Sequence, residues 1–440
     1  MFVRRLNNHG RPSALAAGWD DLRAHNTALL LRAIWSEEGL SRADLARRSG
    51  LSRATVSDIV GGFVDLGVVI EAGADSTPEV APSSGGRPPI RLEFHDGWRH
   101  LIGVELGAEH VSGVRTDLRG RVLGRFVVER DVEGDPAGTL AAMDAGIRTL
   151  RAIAPETAVI GIGLGVASPL RFGDHGRLAT HLFPRWSGID LNAHLAGAHA
   201  LPVRLDNDAN LGALAEHWWG AGRDVSDLAF IKLATGVGAG ILIGGDIHRG
   251  ATGIAGEIGH TTIDTAGPRC RCGRNGCLEA FVGSAQLLER AHERLAADPD
   301  GDEERPAWAL PRATVHTLVA GARAGDPVAR ELVTTAGTWL GVAIANLLNL
   351  VNPGRVVLGG PLTEAGPLLV GPLTRALEQR ALFTSVAGSS VVVSALGDDA
   401  VAIGAATLVL QGALSDPTLF LGSERAERPP FRVSAPLLPA

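Results

Sequence analysis

The chain has 440 residues, of which 45% are hydrophobic and 4% aromatic, and it contains 57 glycines. This composition is typical of an α/β protein rich in glycine turns, and the length allows two or three domains. The formal net charge of −7 excludes a protein that coats nucleic acid with a globally basic surface. Any contact with DNA must therefore be local.

Cysteine and lysine are both rare. The three cysteines form no disulfide framework, which indicates a reducing compartment. The N-terminus lacks the apolar core of a signal peptide, and no uncharged apolar run reaches membrane-spanning length, so we expect a cytoplasmic protein without a membrane partner. Lys232 is the one lysine among 41 lysine and arginine residues, so the abundance of arginine does not by itself indicate nucleic-acid binding.

The first part of the chain has the pattern of a helix-turn-helix. After a flexible tail over residues 1–20, Ser41 with Asp44 predicts a capping box at the start of one short helix. Gly50 forms the turn, and Ser52 caps a second helix. Leu66–Ile70 then reads as a strand. We expect a winged helix-turn-helix domain over 21–72, followed by a wing or linker over 73–97.

Two features of this region predict DNA binding. The second helix has an apolar stripe of Val56, Ile59, Val60 and Phe63, which leaves small and polar groups on its other faces. The arginine of the segment Ser84–Pro88 is stiffened by prolines and suits a narrow minor groove. The candidate DNA contacts are Arg47, Arg53, Thr55, Ser57 and Arg87. The alternative is a three-helix interaction module with solvated arginines, and Asp58 on the presumed DNA face favours that alternative.

From Leu101 onward, short apolar strands alternate with helices, which predicts an α/β domain with parallel strands over residues 98–414. The remaining 415–440 read as a proline-rich tail. Predicted strands are Leu101–Leu106, Val122–Val128, Val159–Val166, Val203–Asp206, Leu228–Ala234, Gly240–Ile243 and Arg355–Leu358. Predicted helices cover 136–153, 209–219, 284–297, 326–349 and 399–411.

Two motifs of this domain suit ligand binding. Asn207 and Asp208 follow a predicted strand, at the edge where open α/β sheets bind ligands, and a carboxylate there can accept a hydroxyl proton. Glycine-rich turns occur at 235–240 and 359–360, and their backbone N–H groups could hold phosphate. Glycine hairpins are common, so the second signal is weak.

The segment Gly256–Glu279 holds every cysteine of the chain. His260, Cys270, Cys272 and Cys277 offer one imidazole and three thiolates, the number and type of ligands that suit tetrahedral zinc. The four ligands leave no obvious open position, so we expect structural zinc. The alternative is three buried cysteines beside an unrelated histidine. Glu257 and Glu279 flank the ligands as carboxylates that the metal does not need.

Together these motifs resemble the ROK family of sugar kinases and sugar-responsive repressors, from about Leu101 to Leu410. The resemblance implies an actin-like fold with two lobes, each related to ribonuclease H. It also implies sugar ligands at Asn207, Asp208, Glu257, His260 and Glu279, with Asp208 as the catalytic base of the kinases. His260 and the three cysteines match the zinc site. Gly236, Gly238, Gly240, Gly359 and Gly360 match the nucleotide-side loops. The winged helix and the Ser84–Pro88 segment resemble the repressor branch.

One departure from the family pattern concerns phosphate binding. Where the kinases have Asp-x-Gly-Gly-Thr, this chain has Glu105-Leu106-Gly107-Ala108-Glu109, and an acidic residue at 109 would repel polyphosphate. We therefore expect a sugar-sensing regulator, a repressor in our interpretation, that binds operator DNA as a homodimer or a dimer of dimers. The alternative is an ATP-dependent kinase of a hexose or N-acetylhexosamine that uses ATP and Mg²⁺ and carries a DNA-binding domain.

Overall fold

The computed structural model describes residues 19–72, 89–171, 176–179, 183–296, 306–310, 313–382 and 388–416. The chain divides into two compact units. One unit comprises residues up to 98 together with those from 410 onward, and the other comprises residues 99–409.

The first unit contains three helices and a three-stranded antiparallel sheet in the order β1-β3-β2. The helices are α1 (Trp19–Ser36), α2 (Arg42–Ser49) and α3 (Arg53–Asp65), and the strands are β1 (Leu40–Ser41), β2 (Val69–Ala72) and β3 (Arg91–Phe94). Two short helices followed by a β-hairpin form a winged helix-turn-helix, as the sequence predicts.

The local signals in this unit act as expected. The Ser41 hydroxyl accepts a hydrogen bond from the Asp44 N–H, and the Asp44 carboxylate accepts one from the Ser41 N–H, which completes the predicted capping box. Gly50 ends α2 in the left-handed conformation with φ of 71°. The Ser52 hydroxyl accepts from the Thr55 N–H at 3.1 Å and starts α3.

Two boundaries differ from the predictions. Helix α1 begins at Trp19, which lies inside the predicted tail of residues 1–20. The strand predicted over Leu66–Ile70 begins only at Val69, because Leu66 ends α3 and Gly67 turns the chain with φ of 77°. Val68 is buried in this turn, so the apolar run reflects burial rather than strand structure.

The second unit contains two five-stranded sheets. The first, which we call the N-terminal lobe, has the order β6-β5-β4-β7-β8, with β4, β5 and β6 antiparallel and β7 and β8 added in parallel. Its elements are β4 (His100–Leu106), β5 (His110–Thr116), β6 (Val122–Glu129), α4 (Pro136–Ala152), β7 (Val159–Val166), α5 (Leu191–His199) and β8 (Val203–Asn207).

The second sheet, in the C-terminal lobe, repeats this pattern in the order β11-β10-β9-β12-β13. Its first three strands are again antiparallel and its last two parallel, so the predicted duplication is confirmed. The strands are β9 (Leu228–Leu233), β10 (Val237–Ile243), β11 (Asp246–Ile247), β12 (Arg355–Gly359) and β13 (Ser390–Val393). The helices are α7 (Leu278–Val282), α8 (Ser284–Ala296), α9 (Val315–Ala324), α10 (Pro327–Val351) and α11 (Pro367–Arg380).

Helices α6 (Asp208–Trp218) and α12 (Ala400–Ser415) lie between the two sheets. A Cβ on Gly240 of β10 would overlap the carbonyl of Ala209 in α6, and a Cβ on Gly103 of β4 would overlap the carbonyl of Ala402 in α12. Glycine is therefore required at both positions, because only a bare backbone permits such close packing of strand and helix.

Several elements were missed or misjudged from the sequence. Both sheets are mixed, although the strand–helix alternation predicts parallel strands. Strand β5 was not predicted, because polar residues interrupt its apolar pattern even though most of it is buried. Among the described residues, α10 alone is long and apolar enough to span a membrane by length and composition, and more than half of its most apolar stretch is buried inside the protein.

Candidate functional site

Helix α3 presents a polar face that suits contact with DNA. Val56, Ile59, Val60 and Phe63 are buried, as predicted, whereas Arg53, Ala54, Ser57 and Asp58 are exposed. Asp58 forms an exposed ion pair with Arg23 of α1, with an N–O distance of 2.8 Å. Its negative charge is thus partly compensated by the protein itself.

The other proposed DNA contacts differ in their exposure and in the partners that their side chains already have. Arg47 is exposed and pairs with Asp44 on its own helix. The Thr55 hydroxyl lies 2.9 Å from that of Ser52, so it supports the start of α3. Arg87 lies outside the described residues, and its placement in the minor groove stays a prediction.

A cleft of about 560 Å³ opens where the two lobes of the second unit meet. It collects residues from β4, from the start of α6, from the β9–β10 turn and from the Gly256–Glu279 segment. All five proposed sugar ligands line this cleft, namely Asn207, Asp208, Glu257, His260 and Glu279.

Asn207 and Asp208 lie at the carboxyl end of β8, where α6 begins. The Asn207 side chain caps this helix, because its oxygen accepts the N–H groups of Ala209 at 3.0 Å and Asn210 at 3.3 Å. Its amide donates to the Ser168 carbonyl at 3.2 Å. These bonds fix the orientation of Asn207 and place Asp208, which is buried, in the first turn of α6.

Two glutamates on the opposite wall differ in their pairing. Glu279 is buried, and its carboxylate accepts from Arg271 Nε at 2.8 Å and from the Val237 N–H at 3.1 Å. The Glu257 carboxylate makes no hydrogen bond with any described residue. Burial and the charges of Asp208 and Glu279 raise the pKa of Glu257 to about 6. Glu257 therefore offers an acceptor that a ligand hydroxyl could satisfy.

The four predicted metal ligands come together. One ligand atom from each of His260, Cys270, Cys272 and Cys277 lies within 4.8 Å of the other three. Cys270 Sγ is 3.7 Å from His260 Nδ1, and Cys272 Sγ is 3.6 Å from Cys277 Sγ. Tetrahedral zinc requires ligand separations of about 3.6–3.8 Å. The cluster therefore has the composition and spacing to hold a metal ion.

The thiols of this cluster must lose protons when a metal binds. Burial raises the pKa of Cys270 to about 12 and also raises the pKa of Cys277. For Cys272, hydrogen bonds from the Arg274 backbone and the other thiols outweigh burial and lower the pKa. Metal binding would therefore release protons at neutral pH and weaken as the pH falls.

We call the part of the cleft around Glu105 and Glu109 the phosphate half, because these residues replace the phosphate-binding motif of the related kinases. This half contains an internal ion-pair cluster. The Lys232 ammonium donates to Glu105 and, at 2.7 Å, to Asp208 Oδ2. His110 Nε2 lies 3.7 Å from the other oxygen of Glu105. Burial alone would raise the pKa of Glu105, but Lys232 and His110 lower it to about 2. The nearby Glu105 carboxylate in turn raises the pKa of His110.

The rest of this half carries little positive charge. Glu109 is exposed at the cleft, and a Cβ on Gly107 would overlap the imidazole of His110. Among the described residues, ten carboxylates line the cleft, but only two lysine or arginine side chains, Lys232 and Arg271. Both cations are already bound to carboxylates, so no described cation there is free for a phosphate group.

The predicted nucleotide-side glycines fall into two groups. Gly236, Gly238 and Gly360 line the cleft, whereas Gly240 and Gly359 do not. Gly359 packs against the ring of Phe230, as Gly240 packs against α6. The close packing of these two positions explains their glycines without a nucleotide.

Sequence reasoning missed the role of Lys232. The available signal was its status as the one lysine in a chain that otherwise uses arginine. Arg249 was also missed, and its Nε donates to Asp206 Oδ2 at 3.0 Å. Both aspartates beside Asn207 are thus paired with a cation from the C-terminal lobe.

The fold and the cleft define a class of protein in which a winged helix-turn-helix precedes a duplicated α/β domain with a polar ligand site between its lobes. The chain belongs to the ROK family, whose model matches residues 101–412. A model described as winged helix-turn-helix DNA-binding matches residues 26–70.

Three known proteins illustrate the similarity. The chain is 30% identical to the xylose repressor of Caldicellulosiruptor bescii over 90% of this chain and 98% of that protein. It resembles the crystal structure of a ROK family transcriptional regulator, described as a homologue of the E. coli MLC protein, with a TM-score of 0.73, 26% identity and coverage of 91% and 98%. A Streptomyces griseus glucokinase, solved with glucose and AMPPNP, has a TM-score of 0.62 and 28% identity, with coverage of 70% and 98%.

Proposed function

We propose that this protein is a sugar-responsive transcriptional repressor that binds operator DNA and releases it when a monosaccharide or sugar derivative occupies the cleft. The single observation that carries the proposal is the pairing of charges in the cleft. The Glu257 carboxylate has no hydrogen-bond partner in the described part of the chain, whereas Asp208 is bound to Lys232. Such a cleft can accept hydroxyl donors but is poorly equipped to activate one for phosphoryl transfer.

The relatives support both halves of this function. A repressor named for xylose aligns with nearly the whole chain, including the winged helix. The exposed face of α3, with Arg53 and Ser57, supports contact with a major groove. We propose that Arg47, Thr55 and Arg87 contribute contacts to the backbone or the minor groove, and that the wing and linker span 73–97.

In this proposal the sugar is held by Asn207, Asp208, Glu257, His260 and Glu279. Zinc at His260, Cys270, Cys272 and Cys277 would have a structural role. When bound, it would supply a rigid crosslink that fixes His260 and the neighbouring glutamates. His260 would then present its second ring nitrogen to a sugar hydroxyl.

We further propose that the protein acts in the cytoplasm as a homodimer or a dimer of dimers. A symmetric dimer would place two winged helices on two half-sites of an operator. Sugar binding would change the closure of the two lobes and thereby favour one arrangement of the dimer over another.

The second candidate is an ATP-dependent sugar kinase that carries a DNA-binding domain. It is favoured by the position of Asp208 in the cleft and by the similarity to a glucokinase solved with glucose and AMPPNP. Against it stand the pairing of Asp208 with Lys232 and the acidic Glu105 and Glu109, since phosphoryl transfer depends on positive electrostatic stabilisation.

A coupled ADP-release assay with D-xylose, D-glucose and N-acetyl-D-glucosamine separates the two candidates. A repressor should bind one of these sugars in a thermal-shift screen, which detects ligands of the native state, without releasing ADP above background. Turnover at ordinary kinase rates that Asp208→Asn abolishes would contradict the repressor proposal. Operator binding that no sugar changes would contradict it as well.

A further inference from the structure

Lys232 joins the two lobes of the second unit. It lies on β9, the central strand of the C-terminal sheet, where its neighbours in register are Gly238 of β10 and Gly359 of β12. Its ammonium reaches Glu105 on β4 of the N-terminal lobe and Asp208 at the start of α6, the helix between the two sheets.

The cluster formed by Lys232, Glu105 and Asp208, which we call the Lys232 cluster, is almost closed to water. Its side chains are 11%, 3% and 11% exposed, respectively. Separating Lys232 from Glu105 would leave uncompensated buried charges, which is strongly destabilising. The ion pair between them therefore restrains the movement of one lobe relative to the other. The chain uses arginine at every other cationic position, and a compact ammonium with three donors fits between two carboxylates where a planar guanidinium would not.

Each carboxylate oxygen of Asp208 already has a hydrogen-bond partner. Its Oδ1 accepts the Ala209 N–H at 2.8 Å, and its Oδ2 accepts the Lys232 ammonium at 2.7 Å. A sugar hydroxyl that donates to Oδ2 must therefore share this oxygen with Lys232 or displace it. Displacement would weaken the cluster through which Lys232 of the C-terminal lobe reaches Glu105 of the N-terminal lobe.

We propose that Lys232 is a positioning residue that competes with the sugar for Asp208 and thereby couples sugar binding to the separation of the lobes. The inference rests on the proposed sugar site. Lys232 holds Asp208 close to Glu105 through its two ion pairs. When sugar binds, the hydroxyl takes the place of the ammonium, and part of the binding free energy is used to loosen the cluster.

Other charged groups face the cluster. His110 lies beside Glu105, Glu257 lies near both Asp208 and Glu279, and Arg271 is paired with Glu279. Arg271 is bound through its Nε to a buried carboxylate, so it is poorly placed to replace Lys232. The balance of charge around Asp208 therefore depends mainly on Lys232.

The test uses variants with opposite expected effects on affinity. The double variant Glu105→Gln/Lys232→Met removes one positive and one negative charge and leaves Asp208 in place. It should bind the responding sugar about tenfold more tightly, since a hydrogen bond between charged groups no longer has to be broken. Glu105→Gln alone leaves Lys232 paired only with Asp208 and should weaken binding several-fold. Isothermal titration with D-xylose, D-glucose and N-acetyl-D-glucosamine measures both effects.

Arg294→Met/Glu331→Gln is the matched control, because it removes an exposed ion pair and should leave affinity unchanged. Damage to the fold can only weaken binding, so a gain in affinity identifies competition. Unchanged or weaker binding by the double variant would overturn the inference. So would a gain in affinity for Glu105→Gln alone.

A second measurement does not depend on a sugar. Amide hydrogen exchange of residues 207–210 should accelerate about tenfold in the double variant and not in the control, because the Asp208 carboxylate has lost its ion pair with Lys232. Unchanged exchange would overturn the positioning role. If no sugar binds the native protein, the proposed function fails, while the exchange measurement still decides whether Lys232 positions Asp208.

Discussion

The two halves of the cleft differ in whether their carboxylates are paired with other side chains. On the sugar side, Glu257 has no hydrogen-bond partner among the described residues and faces the cavity. On the phosphate side, Glu105 is buried and already bound to Lys232. The carboxylate of Glu257 therefore keeps its hydrogen-bonding capacity for a ligand, whereas that of Glu105 is used by the protein's own side chains.

Under the proposed function, this difference would let a sugar site exist without group transfer. A hydroxyl needs only a few well-oriented acceptors, whereas a polyphosphate needs concentrated positive charge. Ten carboxylates around the cleft suit the first requirement and oppose the second. Each of the following predictions tests whether the two halves differ in this way.

The largest effect is expected from Cys277→Ser, since Cys277 is fully buried in the metal cluster. The variant should lose bound zinc and the sugar response, and its melting temperature should fall by roughly 5–10 °C. Metal analysis and thermal unfolding measure these changes. Arg274→Gln alters an exposed side chain of the same loop and should keep the metal. A Cys277→Ser protein that retains zinc and responds to sugar would contradict the structural role of the cluster.

The second prediction compares two of the predicted nucleotide-side glycines, Gly240 and Gly238. Gly240→Ala should lower the free energy of unfolding by about 2–3 kcal/mol, because its Cβ would overlap the Ala209 carbonyl. Gly238→Ala places a Cβ 3.3 Å from that of Ala209, so it should change stability by less than about 1 kcal/mol. Denaturant unfolding measures both. Equal effects would contradict the assignment of Gly240 to packing.

Third, Glu257→Gln should weaken sugar binding about tenfold to hundredfold, because it replaces a charged acceptor of the sugar hydroxyls. Glu109→Gln lies on the phosphate side and should change the affinity by less than about twofold. Isothermal titration compares them directly. If Glu109→Gln were as harmful as Glu257→Gln, the division of the cleft into two halves would not hold.

Local signals in the sequence were sufficient for much of the fold. The Ser41 and Ser52 caps and the apolar stripe of α3 depend only on neighbouring residues, and each occurs as predicted. Strand β5 could not be predicted, because its burial depends on strands and helices from elsewhere in the chain. Predictions therefore held where structure is determined locally.

The same limit applies to the site. The metal ligands lie within one short segment, so their spacing alone indicated that they would meet. The Lys232 cluster joins residues that are 127 and 24 positions apart, and no periodicity links them. Only the packing of two sheets around α6 brings them together. The composition offered one hint that Lys232 has a special role, because it is the one lysine in a chain that otherwise uses arginine.

The fourth prediction concerns acid stability of the phosphate side. The pKa of Glu105 lies at about 2 in the folded protein against an ordinary value of 4.5. The stability that its ionised form contributes is therefore present above pH 4.5 and is lost as the pH falls from 4.5 towards 2. Lys232→Met removes the main charge that lowers this pKa, so acid unfolding should begin about one pH unit higher. Circular dichroism along a pH titration measures the midpoint. Arg294→Met is the control, and an unchanged midpoint for Lys232→Met would contradict the pairing.

The smallest effects are expected at the winged helix, outside the cleft. Arg53→Ala should weaken binding to a duplex selected from random DNA about five- to tenfold and lower the slope of log affinity against log salt by about 1. Asp58→Asn should act in the opposite direction, because it removes a negative charge from the same face of α3 and frees Arg23 to meet a phosphate. Neither change should alter sugar affinity, since both residues belong to the other unit. Gel-shift titrations at several salt concentrations distinguish these outcomes. If both variants bound DNA as the native protein does, α3 would not be the recognition helix, and the exposed arginines would be merely solvated.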